Sequence, residues 1–204
     1  AAVALGKFEG IHRGHQLLLN EINEQKKNQL QSVVFTFDMP PRQTLTGETG
    51  YQQIYTKKER HIILERMGID VLIEYPFTRE FAALSPETFV RDILVGKAGA
   101  KVVVVGTDFR FGRKRSGGIE DLERLSGELG YRLIVKEKVQ DHDVDISSSR
   151  IRELIEKGKM EEVTALSGRP YSVTGPVVHG RALGRTIEIP TANQMAKQDK
   201  LTPP

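Results

Sequence analysis

Short apolar segments separated by helical patterns constrain this chain more than any other feature. The apolar segments are Ala2–Leu5, Val33–Phe37, Val71–Glu74, Lys101–Val105 and Leu133–Val135. Val102-Val103-Val104-Val105 is continuous and β-branched, as a strand buried on both faces requires. Thr56-Lys57-Lys58-Glu59 reads as a capping box opening a helix to about Met67, with Gly68 as its stop. Ser85-Pro86-Glu87 combines an N-cap, a first-turn proline and an early acid before a helix to about Val95. A further helix is predicted over Glu120 to Leu129, closed by Gly130. Strand–helix–strand alternation with short connections means a parallel, helix-covered α/β sheet. Ligands in such folds bind beyond the carboxyl ends of the strands.

After Ser147-Ser148-Ser149 the pattern predicts a charged helix, Arg150–Lys157, and a second, Met160–Leu166. At Gly168-Arg169-Pro170 the texture changes. Tyr171–Val178 reads as a strand, and the remainder is rich in Gly, Thr and Pro without helical period. A domain boundary is expected near Gly168, giving one domain over 1–168 and a second segment over 169–204. That second segment is too short for an independent core without help. The chain opens without Met and stops at Leu201-Thr202-Pro203-Pro204, which reads as a fragment or a trimmed chain.

Composition excludes more than it selects. At 204 residues, 38% hydrophobic and 28% charged, the chain reads as globular rather than fibrous or disordered. It has no apolar run of membrane-spanning length and no leader pattern. The absence of cysteine removes disulfides, thiolate metal sites and cysteine nucleophiles, and fits a cytoplasmic protein. The net charge of +3 decides little, because both signs are interleaved; the exception is Phe109 to Arg115, with four cations in seven residues. That stretch reads as a solvated loop or as a phosphate or nucleic-acid contact.

Gly6 to His15, GKFEGIHRGH, sits between the first strand and a helical segment. Its glycines let backbone approach a ligand, and the helix start offers free N–H groups to phosphate. His12 and His15, three apart, meet on one face and can donate to phosphate oxygens. The alternatives are surface histidines beside a turn, or a metal site, for which no third ligand at suitable spacing is evident. In Ile146 to Arg152, ISSSRIR, the Ser148 and Ser149 hydroxyls are candidates to cap the next helix. Together with Arg152, one turn beyond Ser149, they also form a candidate phosphate cradle. Phe109 and Phe111, in the glycine-flanked loop Val105 to Gly117, offer a stacking surface for a planar ring or fold back on the core.

These blocks resemble a known family. His-x-Gly-His after the first strand is the signature of the nucleotidylyltransferase superfamily, and Gly-x-Phe-Asp-Gly-x-His-x-Gly-His is its form in bacterial FAD synthetases. Here Glu9 stands where that family usually has Asp. ISSSRIR is similar to the family's Ile-Ser-Ser-Thr-x-x-Arg, and VGTDFRFG to its flavin-binding Gly-x-Asn/Asp-Phe-x-Phe-Gly. VFTFDMPPR departs more, with Met39-Pro40 in place of Pro-His. Beyond Gly168, Thr174 to Asn193 resembles the opening of a riboflavin kinase, whose Pro-Thr-Ala-Asn supplies a Thr and an Asn to magnesium and ATP. Those are Thr191 and Asn193 here, with Glu188 in place of the usual Gly. The catalytic carboxylate of that family lies downstream of these 204 residues.

The resemblance implies a parallel, Rossmann-like nucleotidylyltransferase sheet followed by an incomplete β-rich kinase-like module. It implies transfer of AMP from ATP to FMN, giving FAD and pyrophosphate, with Mg2+ carried mainly on phosphate oxygens. His12, His15, Ser148, Ser149 and Arg152 would then be catalytic. Gly6, Phe8, Gly10, Gly14, Gly106 and Ile146 would bind ATP, and Phe37, Pro41, Asp108, Phe109, Phe111 and Arg115 would bind FMN. A bifunctional riboflavin kinase/FAD synthetase in a longer parent is one alternative. Another nucleotidylyltransferase, acting on pantetheine phosphate or nicotinamide mononucleotide, is disfavoured by the Phe109/Phe111 loop and the kinase-like tail. A degenerate flavin-sensing or RNA-binding protein is a third, but the basic loop lacks the aromatic–basic interleaving of a single-strand binder.

Overall fold

The first strand has no room for large side chains on one of its faces, and that places it at the centre of the sheet. β1 (Ala2–Leu5) is buried throughout. Ala2 and Ala4 face the cluster that holds Leu18, Leu19 and Ile22, while Val3 and Leu5 face the opposite cluster. The small alanines let helix α1 (Arg13–Glu24) close over the strand. The computed structural model describes residues 1–39, 47, 50–180, 188, 189 and 191–204.

The remaining strands are β2 (Ser32–Phe37), β3 (Val71–Tyr75), β4 (Val102–Gly106) and β5 (Arg132–Lys136). With β1 they form a five-stranded sheet in the order β3-β2-β1-β4-β5, every pairing parallel. Each observed strand lies within a residue or so of its expected position. Helix α2 (Lys57–Arg66) carries the expected capping box, Thr56 accepting from the Glu59 N–H and Glu59 from the Thr56 N–H. α1 and α2 cover one face. The other face is covered by α3, one turn Pro86–Thr88 continuing as a π-helical stretch Phe89–Lys97, and by α4 (Ile119–Leu129). The π geometry was not legible as such; it brings Phe89, Val90, Ile93 and Leu94 onto the core together.

A small hairpin, β6 (Gln140–Asp141) and β7 (Val144–Asp145), precedes α5 (Ser148–Glu156) and α6 (Met160–Ser167). α5 begins two residues earlier than expected, so the expected caps Ser148 and Ser149 lie inside it. The cap is Ser147, whose Oγ accepts from the Arg150 N–H at 3.2 Å. The strand expected over Tyr171–Val178 reduces to β8 (Val177–Val178), which pairs antiparallel with β9 (Asn193–Gln194). Tyr171 instead turns inward, its hydroxyl within 2.7 Å of the Ile54 carbonyl and 2.6 Å of that of Leu201.

The help that the short final segment requires comes from the first part of the chain. Gln53 pairs with Lys200 in a β-bridge, and Leu201 joins the cluster of Ile54, Tyr55, Ile151 and Leu166. Lys200 is buried, with its Nζ 2.9 Å from Glu59 Oε2 and 2.7 Å from the Ile54 carbonyl. The Tyr171 ring lies 4.2 Å below that ammonium. Burial pushes the Glu59 carboxyl up, but bonds from Lys200, Thr174 and the Thr56 N–H outweigh it and hold it low. Burial also pulls the Lys200 ammonium below its ordinary value.

Removing one partner of a buried pair strands the other charge. Lys200→Met is therefore expected to cost about 3–5 kcal/mol, measured by urea unfolding. The Glu59→Gln/Lys200→Met double variant is expected to lose less than the sum of the single losses. A Lys200→Met loss below about 1 kcal/mol would place the pair among exposed ones.

Candidate active site

The sheet order reverses between β1 and β4, and the crevice at such a switch is where ligands of open α/β sheets bind. The two loops flanking that crevice are Gly6–His12, after β1, and the segment beyond Gly106, after β4. Both were singled out by sequence.

The β1 loop is held in an uncommon conformation. Phe8 (φ +46) and Ile11 (φ +38) lie in the left-handed region, yet both are completely buried. Such residues cost of order 1–3 kcal/mol each and persist only where the surroundings over-determine them. The Phe8 ring packs under Gly6, where a Cβ would come to 3.1 Å, and against His15 at 5.0 Å between centroids. Phe8 thus supports the loop from inside the core and offers a ligand no side-chain surface. Thr36 Oγ1 donates to the Lys7 carbonyl at 3.0 Å, tying the loop to the end of β2.

His12 caps α1. Its Nδ1 accepts from the His15 N–H at 3.3 Å, and the two imidazoles stack at 3.8 Å, 21° from parallel. Gly14 permits this, since a Cβ there would lie 3.2 Å from His12 Nδ1. Burial, reinforced by the Arg169 cation and opposed by Asp108, pulls the His12 pKa down to about 4. His15 is pulled well below its ordinary value by burial, then by His12 and Arg169. Both rings are therefore neutral near pH 7. In His12 the accepting Nδ1 leaves the proton on Nε2, so that N–H is the donor. His15 Nδ1 is buried and lacks a hydrogen-bond partner among the described residues.

The second block meets the first directly. Gly10 N–H donates to Ser148 Oγ at 3.2 Å, a contact between residues 138 apart in sequence. A Cβ on Gly10 would sit 3.2 Å from that oxygen, tighter than ordinary contact, so glycine leaves the approach unhindered. The N-termini of α1 and α5 thereby converge on one loop, bringing two positive dipole ends and their free N–H groups together. Arg152 pairs with Glu9 and lies 4.5 Å over the Tyr51 ring, while Tyr51 donates to the same Glu9 oxygen at 2.7 Å. Burial, then the hydrogen bond to Glu9, pushes the Tyr51 hydroxyl up to about 12. Of the three residues of the expected phosphate cradle, Ser148 meets Gly10, Arg152 meets Glu9 and Ser149 is exposed. Ile146 is buried in the α5–α6 cluster.

In the β4 loop the two aromatics separate. Phe111 is in the core, 7% exposed and 5.6 Å from Phe89, whereas Phe109 is half-buried and stacks on Phe111 at 5.6 Å. Gly112 (φ +70) makes the turn possible, and a Cβ there would meet Pro86 at 2.8 Å. Rings at 5.5–5.8 Å continue this row through Phe89 and Phe81 to Phe37, at the end of β2. Asp108 is exposed and pairs with Lys138 at 3.3 Å, and Arg115 is exposed at φ +60. A cleft at the carboxyl end of β2 is lined by Lys7, Glu9, Thr36, Phe37, Tyr51 and Arg60, among others.

Pro41 lies outside the described residues, as does Pro40 of the divergent Met39-Pro40 pair. Thr191 and Asn193 are exposed, Asn193 pairing with Val178 in the β8–β9 hairpin. Glu188 occupies φ +61, a conformation that favours the glycine usual there in the resembled kinase. Sequence reasoning missed Tyr51 and Arg169. Neither lies in a local pattern; only the fold brings Tyr51 to Glu9 and Arg169 to the Ile11 carbonyl, at 2.9 Å.

Comparison with known proteins identifies the family. The riboflavin kinase family model matches residues 167–204. Among curated relatives, the bifunctional riboflavin kinase/FMN adenylyltransferase of Escherichia coli (strain K12) is 33% identical over 192 residues, 94% of this chain and 61% of its own length. The protein of the same name from Buchnera aphidicola subsp. Schizaphis graminum (strain Sg) is 33% identical over 95% of this chain and 62% of its own. That from Listeria monocytogenes serovar 1/2a (strain ATCC BAA-679 / EGD-e) is 35% identical over 98% of this chain and 64% of its own. The chain thus spans 61–64% of the length of these relatives. A crystal structure from Streptococcus pneumoniae, titled a macrolide-efflux protein, superposes with a TM-score of 0.88 at 34% identity, covering 99% of this chain and 66% of that one. Among the described residues no helix of the present chain is long and apolar enough to cross a membrane. The FAD synthetase family model matches residues 1–150, well over half of the chain, from the β1 loop to the start of α5, and the chain belongs to that family.

Proposed function

We propose that this chain transfers the adenylyl group of ATP to FMN, giving FAD and pyrophosphate, through the unit ending near Gly168. The observation that carries the proposal is the Gly10–Ser148 hydrogen bond, which brings two helix N-termini and a neutral His12 to one loop. An oxygen of the FMN phosphate attacks the α-phosphorus of ATP in line. The new P–O bond forms as the bond to the bridging oxygen of pyrophosphate breaks, and its electron pair leaves with pyrophosphate. Negative charge on the α-phosphoryl oxygens and on the leaving oxygen is the quantity the site must stabilise. His12 supplies a neutral Nε2–H, the loop and helix starts supply backbone N–H groups, and Arg152 supplies the mobile cation for pyrophosphate.

Arg152 is committed to Glu9 in the structure, so the departing phosphates compete with that carboxylate for it. Phe109, at the open end of the aromatic row, is the surface for the flavin ring, and Phe111 backs it from the core. Among the described residues no group of three or more His, Asp or Glu side chains is placed to hold a metal ion. Magnesium belongs in this reading to the ATP substrate, neutralising charge on its phosphate oxygens. Thr191 and Asn193 are reserved for a kinase module of which residues 167–204 match only part.

Incubating these 204 residues with ATP, magnesium and either FMN or riboflavin, then separating the flavins, tests the proposal. FAD is expected from FMN, and no FMN from riboflavin. Riboflavin phosphorylation without FAD formation would overturn it.

The pH dependence follows from His12. Its folded pKa of about 4 lies below the ordinary 6.5, so between these values the unfolded chain binds more protons. Stability is therefore expected to fall as pH drops from about 6.5 towards 4, and a neutral donor keeps adenylyl transfer active through the same window until His12 protonates. Histidine NMR titration alongside the pH–rate profile checks both. A His12 titrating near 6.5, with activity rising as it protonates, would contradict the neutral-donor mechanism.

A further inference from the structure

Ile11 is the residue on which the signature loop turns, and its carbonyl accepts two side-chain hydrogen bonds. Gln16 Nε2 donates to it at 3.0 Å and Arg169 Nη2 at 2.9 Å. Both bonds are anchored at the junction after α6. Gln16 Nε2 also donates to the Ser167 carbonyl at 2.7 Å, and Gly168, at φ +66, brings its backbone against the Gln16 amide. The Arg169 guanidinium lies 5.3 Å from the Tyr55 ring centroid, and its buried Nε lacks a hydrogen-bond partner among the described residues. A half-buried guanidinium with one buried nitrogen left unpaired is a poor device for stability alone. Arg169 lies outside the FAD synthetase match, which ends at residue 150, and inside the riboflavin kinase match, which begins at 167.

We propose that Arg169 is a positioning residue for adenylyl transfer, so that the segment matching riboflavin kinase completes the signature loop of the FAD synthetase unit. This rests on the function proposed above. By holding the Ile11 peptide, Arg169 sets the direction of the Gly10 N–H on one side and of the His12 cap on the other. Its charge acts on the same pair of rings. Among the described residues the charged groups bearing on His12 are Arg169, beyond α6, and Asp108, beyond β4, with His15 stacked beside it on α1. His15 feels Arg169 and His12. Loss of Arg169 removes the cation that disfavours protonation of both.

The test uses the full chain with Arg169→Gln, Arg169→Lys and Gln16→Ala, read by histidine NMR titration, thermal unfolding, and kcat and KM for FAD formation. Arg169→Gln is expected to lower kcat on the order of tenfold to a hundredfold, the scale of misplaced reacting groups. Its KM values should stay within about threefold, and His12 should titrate at higher pH. Gln16→Ala loosens the same carbonyl without removing charge, so kcat should fall while the His12 titration stays put. Arg169→Lys keeps the charge without the planar fork, so His12 should remain low-titrating while kcat recovers only in part. An Arg169→Gln protein with unchanged kcat and unmoved histidines overturns the proposal, whatever its melting temperature. Should Arg169→Gln not fold, Arg169→Lys and Gln16→Ala decide, and full activity in both overturns it. If the parent chain forms no FAD, the functional reading fails by itself. The His12 titration then still decides whether the Arg169 charge bears on the signature histidines: a shift to higher pH in Arg169→Gln supports it and no shift overturns it.

Discussion

The turn that leaves β1 depends on holding two buried apolar side chains, Phe8 and Ile11, at positive φ. A relaxed turn would carry glycine at such positions. Here the strain is sustained by what surrounds the turn: the Phe8 ring wedged between Gly6 and His15, and the Ile11 carbonyl taken by Gln16 and Arg169. Because those partners come from α1 and from the junction after α6, the conformation of a few loop residues is a property of the whole domain. The Gly10 N–H and the His12 cap inherit that placement, and the meeting of α1 with α5 depends on both.

Electrostatics follow from the same geometry. Burial, not a neighbouring acid, governs the two histidines, and with Arg169 close by they stay uncharged. The site therefore separates its donors into two kinds: neutral N–H groups fixed on the loop and a guanidinium held in reserve by Glu9 and Tyr51. Fixed neutral donors need little reorganisation when charge develops between them. In the proposed reaction, the cation held by Glu9 changes partner as a phosphate group arrives.

Much of the fold was legible because its signals are local. The Val102–Val105 run, the Thr56–Glu59 capping box and Gly130 each determine an element through its own residues, and the parallel sheet follows from their alternation. The histidine pair was legible for the same reason, since a three-residue spacing at a helix start places two rings together. What escaped was long-range. Ser147 takes the cap expected of Ser148 and Ser149 because Ser148 is held by Gly10, across the domain. Tyr171 reads as a strand residue by composition, yet it is drawn inward by Lys200, Ile54 and Leu201. Phe111 and Phe109 look equivalent in sequence, and only the proximity of Phe89 decides which enters the core.

The central claim is that the α-phosphate of ATP sits where α1, α5 and the β1 loop converge. A 1H–15N titration of the chain with magnesium and α,β-methylene-ATP, which cannot be cleaved at the reacting bond, tests that claim most directly. The account predicts the largest amide shifts at Gly10, Gly14, His15 and Ser148. Shifts confined to the neighbourhood of Thr191 and Asn193, with the Gly6–His15 amides unmoved, would contradict it.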